Sequence, residues 1–268
     1  MMAQQSLLTT LILAIAGMLS TVDVSEAKVR TTPIAYTHDS VKLVGELAWD
    51  DAIQGKRPGV LVVHEWWGLN DYARKRARQL ASMGYVAFAV DMYGEGRVTA
   101  HPDQAGAWMN EITRNIQLWR ARAMKGLAIL QQQPLVDPNR LAAIGYCFGG
   151  ATVMQLVYMN APVNGVVSFH GSLPLPEGPL TGIYPRILIA HGSADPFLTD
   201  EHIRAFQQAM DEANLDWQMI IYGGARHSFT NAGADAYGID ALKYDPRADA
   251  RSWKHMHLFL EELFTQNR

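Results

Sequence analysis

The sequence contains a single cysteine among 268 residues, which excludes an intramolecular disulfide, a CxxC redox pair and a cysteine-rich zinc site. It also has no excess of positive charge. Its 23 Lys and Arg stand against 26 Asp and Glu, a net charge of −3, so the electrostatic footprint of a nucleic-acid-binding protein is missing. Hydrophobic residues at 49 % and charged residues at 18 % lie near globular averages, which excludes wholesale disorder and collagen-like repeats. No internal repeat, low-complexity block or interdomain linker interrupts the chain. The lone Cys147 is therefore either a buried thiol or a reactive one.

Charge is absent altogether from Met1 to Val22, and Leu7 to Leu19 is almost wholly apolar. That run is shorter than the ~20 residues needed to span a bilayer. Ser25-Glu26-Ala27 places small residues at the −3 and −1 positions of a cut after Ala27. The layout predicts a signal peptide over residues 1–27 and an exported, periplasmic or secreted protein, although the usual basic residue ahead of the apolar run is missing. An uncleaved membrane anchor is the alternative. Cys147 lies too far downstream to carry a lipid anchor.

Residues 28–268 read as one α/β domain. Val41–Leu47 alternates at period two, as a half-exposed strand does. Gly59–Val63, Tyr85–Val90, Leu141–Ile144, Gly165–Phe169, Ile187–Ala190 and Trp217–Tyr222 are nearly continuous runs of the kind buried parallel strands require. Helical patterns fill the intervals. Asn70 or Asp71 is placed to cap a helix from Tyr72 to Met83 that Gly84 closes. Apolar residues recur at three- and four-residue spacing from Asp103 to Gln133, predicting one long helix that ends before Pro134, and again from Trp253 to Leu263. The expected architecture is a mainly parallel central sheet with helices on both faces.

Gly145-Tyr146-Cys147-Phe148-Gly149-Gly150 stands between a predicted strand and a predicted helix. A G-x-nucleophile-x-G turn holds the nucleophile in a strained conformation, and its glycines let backbone and helix approach closely. The helix N-terminus beneath Cys147 favours negative charge. The plain reading is a small apolar Cys in a packing turn. Two later loops shift the balance. One strand runs into Gly192-Ser193-Ala194-Asp195, and another into Gly224-Ala225-Arg226-His227. Nucleophile, acid and histidine thus follow in the chain order of α/β hydrolases, each at the carboxyl end of a strand. His227 is the expected general base and Asp195 the residue that fixes its tautomer. Gly59–Val63 ends in His64-Glu65-Trp66-Trp67-Gly68, where such folds supply the second oxyanion donor, so the backbone N–H groups of Phe148 and Trp66 are candidates for the hole. Glu65 is expected close to Cys147. His64-Glu65 lacks the second His of a zinc-protease motif, and His255 and His257 diverge on a helix, so no metal is expected.

These residues resemble the dienelactone hydrolase family of α/β hydrolases. The resemblance rests on His64 to Gly68, on Gly84-Tyr85 leading to Asp91-Met92-Tyr93-Gly94, on the Cys147 elbow, on Asp195 and on Gly224 to Phe229. It implies the α/β-hydrolase fold, a cysteine nucleophile assisted by His and Asp, and a Glu that pairs with the thiol. Carried over, those roles fall on Cys147, His227, Asp195 and Glu65. The resemblance also implies arginines that hold a substrate carboxylate. One of them follows the catalytic His, where this chain reads His227-Ser228-Phe229-Thr230-Asn231, without an Arg. Arg97, near the other expected arginine, and Arg226 are possible substitutes.

The expected activity is hydrolysis of a small-molecule ester or lactone through an acyl-thioester. The protein is expected to be a monomer with no cofactor, no nucleic-acid partner and, for residues 28–268, no membrane partner. Trp66, Trp67, Tyr93 and Trp108 are candidates to line the pocket, against the plainer reading of core aromatics. Broader esterase or thioesterase action, and a non-catalytic redox-responsive thiol protein on the same fold, stand as alternatives.

Overall fold

The computed structural model describes residues 29–182 and 185–265, and the predicted signal peptide lies outside them. Eight strands make one sheet. In chain order they are β1 (Val29–His38), β2 (Val41–Asp50), β3 (Arg57–Val63), β4 (Val86–Val90), β5 (Val136–Tyr146), β6 (Gly165–Phe169), β7 (Arg186–Gly192) and β8 (Trp217–Tyr222). Their order across the sheet is β1-β2-β4-β3-β5-β6-β7-β8. β1 pairs antiparallel with β2, and β2 antiparallel with β4; every pairing from β4 to β8 is parallel. β3, β4 and β6 are buried along their whole length, as their unbroken apolar sequences require of strands covered on both faces.

The helices are α1 (Asp71–Ser82), α2 (Pro102–Thr113), α3 (Ile116–Gln131), α4 (Phe148–Tyr158), α5 (Asp200–Glu212) and α6 (Pro246–Thr265). One apolar layer joins Ile112, Trp119, Leu127, Met154 and Phe206 from α2 to α5 to the sheet. The other joins Ala73 and Leu80 of α1 to Phe259 and Leu260 of α6 across the opposite face. Asn70 caps α1, its side chain accepting from Ala73 N–H at 3.3 Å, and Gly84 takes φ +93° just beyond it. Both were expected.

The long helix expected over Asp103–Gln133 is two helices. Its apolar period runs on through Arg114 and Asn115, but the Asn115 side chain accepts from Leu118 N–H at 3.1 Å and starts α3 afresh. The capping bond outweighs the continuing pattern.

Topology places the site. The chain runs from β3 to β4 on one side, then returns to add β5 on the other side of β3. The loops leaving β3 and β5 therefore open side by side at their carboxyl ends, the switch point where open α/β sheets hold ligands. Buried Arg76 of α1 braces this edge from behind. Its guanidinium donates to the Thr230 carbonyl at 2.6 Å and to Asp249 of α6 at 2.5 Å, and it lies against the Tyr72, Tyr146 and Trp253 rings.

Candidate active site

Cys147 follows β5 at φ 55° and ψ −114°, immediately ahead of α4. This is a left-handed conformation that L-residues avoid, and it is held by the surroundings rather than by local preference. The Cys147 N–H donates to the Phe169 carbonyl at 3.0 Å. The flanking glycines are sterically required. A Cβ on Gly145 would lie 2.0 Å from the Gly149 carbonyl oxygen, and one on Gly149 would lie 2.2 Å from the Val63 oxygen of β3. The sulfur is thus presented half-buried at the head of a helix.

His227, in the loop after β8, is buried, and its Nδ1 lies 2.7 Å from Asp195 Oδ2 in the loop after β7. Burial alone would lower the His227 pKa. It is outweighed by the negative charge on Cys147, the Asp195 hydrogen bond, a hydrogen bond with Cys147 and the Asp195 charge, which push the imidazole up to about 10. Burial would raise the Asp195 carboxyl, but the His227 bond and charge and the Phe197 N–H hold it below its usual value. The three side chains therefore form a charge-coupled line from sulfur to carboxylate, with Nδ1 engaged by the acid and Nε2 left to serve the thiol.

The loop after β3 is fixed by a buried histidine. His64 Nε2 accepts from Met92 N–H at 3.2 Å, so its proton is on Nδ1, which donates to the Glu65 carbonyl at 2.5 Å. Tyr93 O–H donates to the Trp66 carbonyl at 3.0 Å. Asp91 holds the Tyr93 turn by accepting from the N–H groups of Tyr93 and Gly94 at 3.0 and 2.8 Å. Between these loops lies a cavity of about 310 Å³ that contains Cys147 and His227. Trp66, Phe148, Met109 of α2, Phe197, Ile239 and Leu242 supply its apolar wall, with Ser172 at the edge.

The model of the dienelactone hydrolase family matches residues 45–264. The chain belongs to the dienelactone hydrolase family. A putative carboxymethylenebutenolidase of Aquifex aeolicus is 25 % identical over 226 residues, which cover 82 % of this chain and 94 % of that one. An uncharacterized protein of Caenorhabditis elegans is 34 % identical over 148 residues, covering 54 % of this chain and 94 % of its own. A solved dienelactone hydrolase-like promiscuous phosphotriesterase from metagenomic libraries superposes with a TM-score of 0.83 at 38 % identity, covering 88 % of this chain and 98 % of that one. The protein is a hydrolase with the α/β-hydrolase fold.

Within this dienelactone hydrolase family member the expected site residues separate into two groups. Cys147, His227, Trp66 and Phe148 meet around the cavity, with Asp195 behind His227. Glu65 is buried beside them, but its carboxylate turns elsewhere. Oε1 accepts from Ser228 O–H and Oε2 from Asn231 N–H, both at 2.6 Å, so it is anchored by hydroxyl and amide donors rather than by the thiol. Burial raises its pKa, and these two bonds act against the shift. Trp67 is fully buried and stacked on Tyr237 at 3.9 Å, packed behind the cavity wall rather than lining it. Tyr93 is buried beneath the Trp66 loop as a brace rather than a wall, and Trp108 packs against it. Arg97 faces Glu111 at 3.5 Å and Glu95 at 4.0 Å outside the cavity. Arg226 is bound to the carbonyl and carboxylate of Asp240. Neither arginine lines the cavity. Among the described residues there is no group of three or more His, Cys, Asp or Glu that could hold a metal ion, and no helix is long and apolar enough to cross a membrane.

The sequence reading missed His170. It follows β6 directly at φ 40°, fully buried, with its ring edge-on to His227 at 5.2 Å. Its Nε2 lies 2.7 Å from Thr230 Oγ1, which is 2.6 Å from the Tyr72 hydroxyl. Applying to β6 the strand-end rule used for Asp195 and His227 would have found it.

The buried histidines predict a stability optimum. Burial, above all, lowers the pKa values of His64, His170 and His191 below 6.5. As pH falls through 6.5 the unfolded chain takes up protons there that the folded protein refuses, so stability falls. Asp195 adds a further loss as pH drops below its ordinary 3.8. His227 acts in the opposite direction. Its contribution is complete below 6.5 and is lost as pH rises towards 10. Each unmatched proton contributes a slope of about 1.4 kcal/mol per pH unit. Urea midpoints should therefore peak near neutrality, and midpoints unchanged from pH 5 to 9 would contradict these assignments.

Proposed function

We propose that the protein hydrolyses small carboxylic esters or lactones by covalent catalysis at Cys147. The observation that carries this reading is the strained Cys147 at the sheet's switch point, coupled to the buried His227–Asp195 pair. The thiolate attacks the carbonyl carbon and forms a C–S bond. The N–H groups of Phe148 and Trp66 stabilise the oxyanion. The intermediate collapses, His227 gives its proton to the departing alkoxide, and an acyl-thioester remains. His227, now neutral, takes a proton from water as that water attacks the thioester. Collapse returns the thiolate and the protonated imidazole and releases the acid. Sulfur leaves as readily as it attacks, which favours activated esters and enol-lactones over amides.

Rapid quenching in acid during turnover of a p-nitrophenyl ester, followed by peptide mass spectrometry, tests the covalent step. The acyl mass is expected on the peptide containing Cys147. Turnover with that peptide unmodified at every quench time would refute the mechanism.

A further inference from the structure

We infer that this site takes a short, neutral, apolar acyl chain and discriminates against a carboxylate-bearing one, and that Phe197 is the side chain that closes over the chain. The inference rests on hydrolysis at Cys147 and adds the substrate class.

The cavity wall is apolar. Trp66, Met109, Phe148, Phe197, Ile239 and Leu242 surround the sulfur, and among the described lining residues there is no Lys or Arg. A carboxylate placed against that wall leaves water without a counter-charge, which strongly disfavours it. The nearby guanidiniums are already engaged, Arg97 with Glu95 and Glu111 and Arg226 with Asp240. Asn231 spends its amide on Glu65. At about 310 Å³ the cavity is at the small end of ligand pockets, so the acyl chain it encloses is short.

Phe197 completes the picture. It is 57 % exposed, yet its ring stands edge-on to His227 at 4.8 Å. Its own N–H donates to Asp195 Oδ1 at 3.0 Å, so the main chain that carries the ring is fixed beside the cavity mouth. An aromatic ring held half in water beside the base acquires a cover when an acyl chain enters.

Steady-state kinetics on the full protein test this with p-nitrophenyl acetate, butyrate and pentanoate, and with p-nitrophenyl hydrogen succinate as the anionic counterpart of pentanoate. Each added methylene is expected to raise kcat/KM by about four-fold until the cavity fills. Pentanoate should exceed succinate by about 100-fold or more. Met109→Arg, or Ile239→Arg should that variant fold poorly, is expected to narrow the gap by supplying a guanidinium. Phe197→Ala should raise KM for pentanoate several-fold more than it raises KM for acetate. Equal kcat/KM for pentanoate and succinate, with Cys147 acylated by both, would overturn the pocket assignment and leave the hydrolysis standing. No turnover and no acylation with any ester would instead sink the hydrolysis. In that case equilibrium dialysis of the Cys147→Ala protein decides the pocket. Tighter binding of pentanoate than succinate supports the assignment, and equal affinity overturns it.

Discussion

Cys147→Ala is expected to lower kcat/KM for p-nitrophenyl butyrate by on the order of 10⁴-fold or more, with the urea midpoint nearly unchanged above pH 10, where the His227 charge no longer contributes. The rate effect follows from the bond that can no longer form. Without sulfur there is no acyl-thioester, and only the N–H groups of Phe148 and Trp66 and the apolar wall remain to accelerate attack by water. The small stability effect follows from the backbone. Residue 147 sits at φ 55°, a conformation equally strained for alanine and cysteine, so the substitution neither adds nor relieves strain. The same variant should change His227. With the thiolate removed, the first of the effects that oppose burial disappears, and the imidazole pKa should fall from about 10 towards its ordinary value. Kinetics, urea titration and a nitrogen-15 imidazole titration of one protein sample measure all three. Retention of wild-type turnover by Cys147→Ala would sink the covalent mechanism outright.

Gly149→Ala should be among the most damaging single-methyl changes around the active site. Its Cβ would lie 2.2 Å from the Val63 carbonyl oxygen, 2.7 Å from that carbonyl carbon and 2.8 Å from the His64 oxygen. All three are backbone atoms of β3 and its exit, in the middle of an eight-stranded sheet, so no side chain can swing aside. Relief requires α4 to withdraw from β3, which drags Cys147 and the Phe148 N–H with it. A loss above about 4 kcal/mol, or failure to fold, is expected. Gly178→Ala is the matched control, because a Cβ there meets nothing within 4 Å. Thermal and urea denaturation of the pair give the comparison. A Gly149→Ala protein within about 1 kcal/mol of the wild type would show the elbow to be far more yielding than the distances indicate.

The elements at the strand ends were legible because their chemistry is local. Glycines bracket Cys147, and Asp195 and His227 each follow an apolar run directly, so position along the chain fixes position along the sheet edge. β1 escaped notice because most of its ten residues are exposed or half-exposed, leaving little apolar alternation to read. The α2–α3 break was hidden because Asn115 acts through a capping bond that apolar periodicity does not register. Trp67, Tyr93 and Arg97 looked like substrate contacts because they flank the site in sequence. Burial made the first two supports, and two glutamates claimed the third. The cavity wall was least legible. Met109, Phe197, Ile239 and Leu242 come from α2 and separate loops, and only the folded sheet edge brings them together. The donors to Glu65 were not legible, since Ser228 and Asn231 reach it only through the turn after His227.

Arg76 sets an order of assembly. Its bonds to Thr230 and Asp249 span 154 and 173 residues of chain, among the most distant closures in the molecule and thus among the slowest to be reached. The β5–α4 half of the site has its parts within one short stretch and is ready early. The loop bearing His227 is braced by Arg76 of α1, which Asp249 of α6 holds in turn. During synthesis, therefore, the Cys147 elbow is expected to emerge well before the Thr230 carbonyl in the His227 loop can be anchored on Arg76.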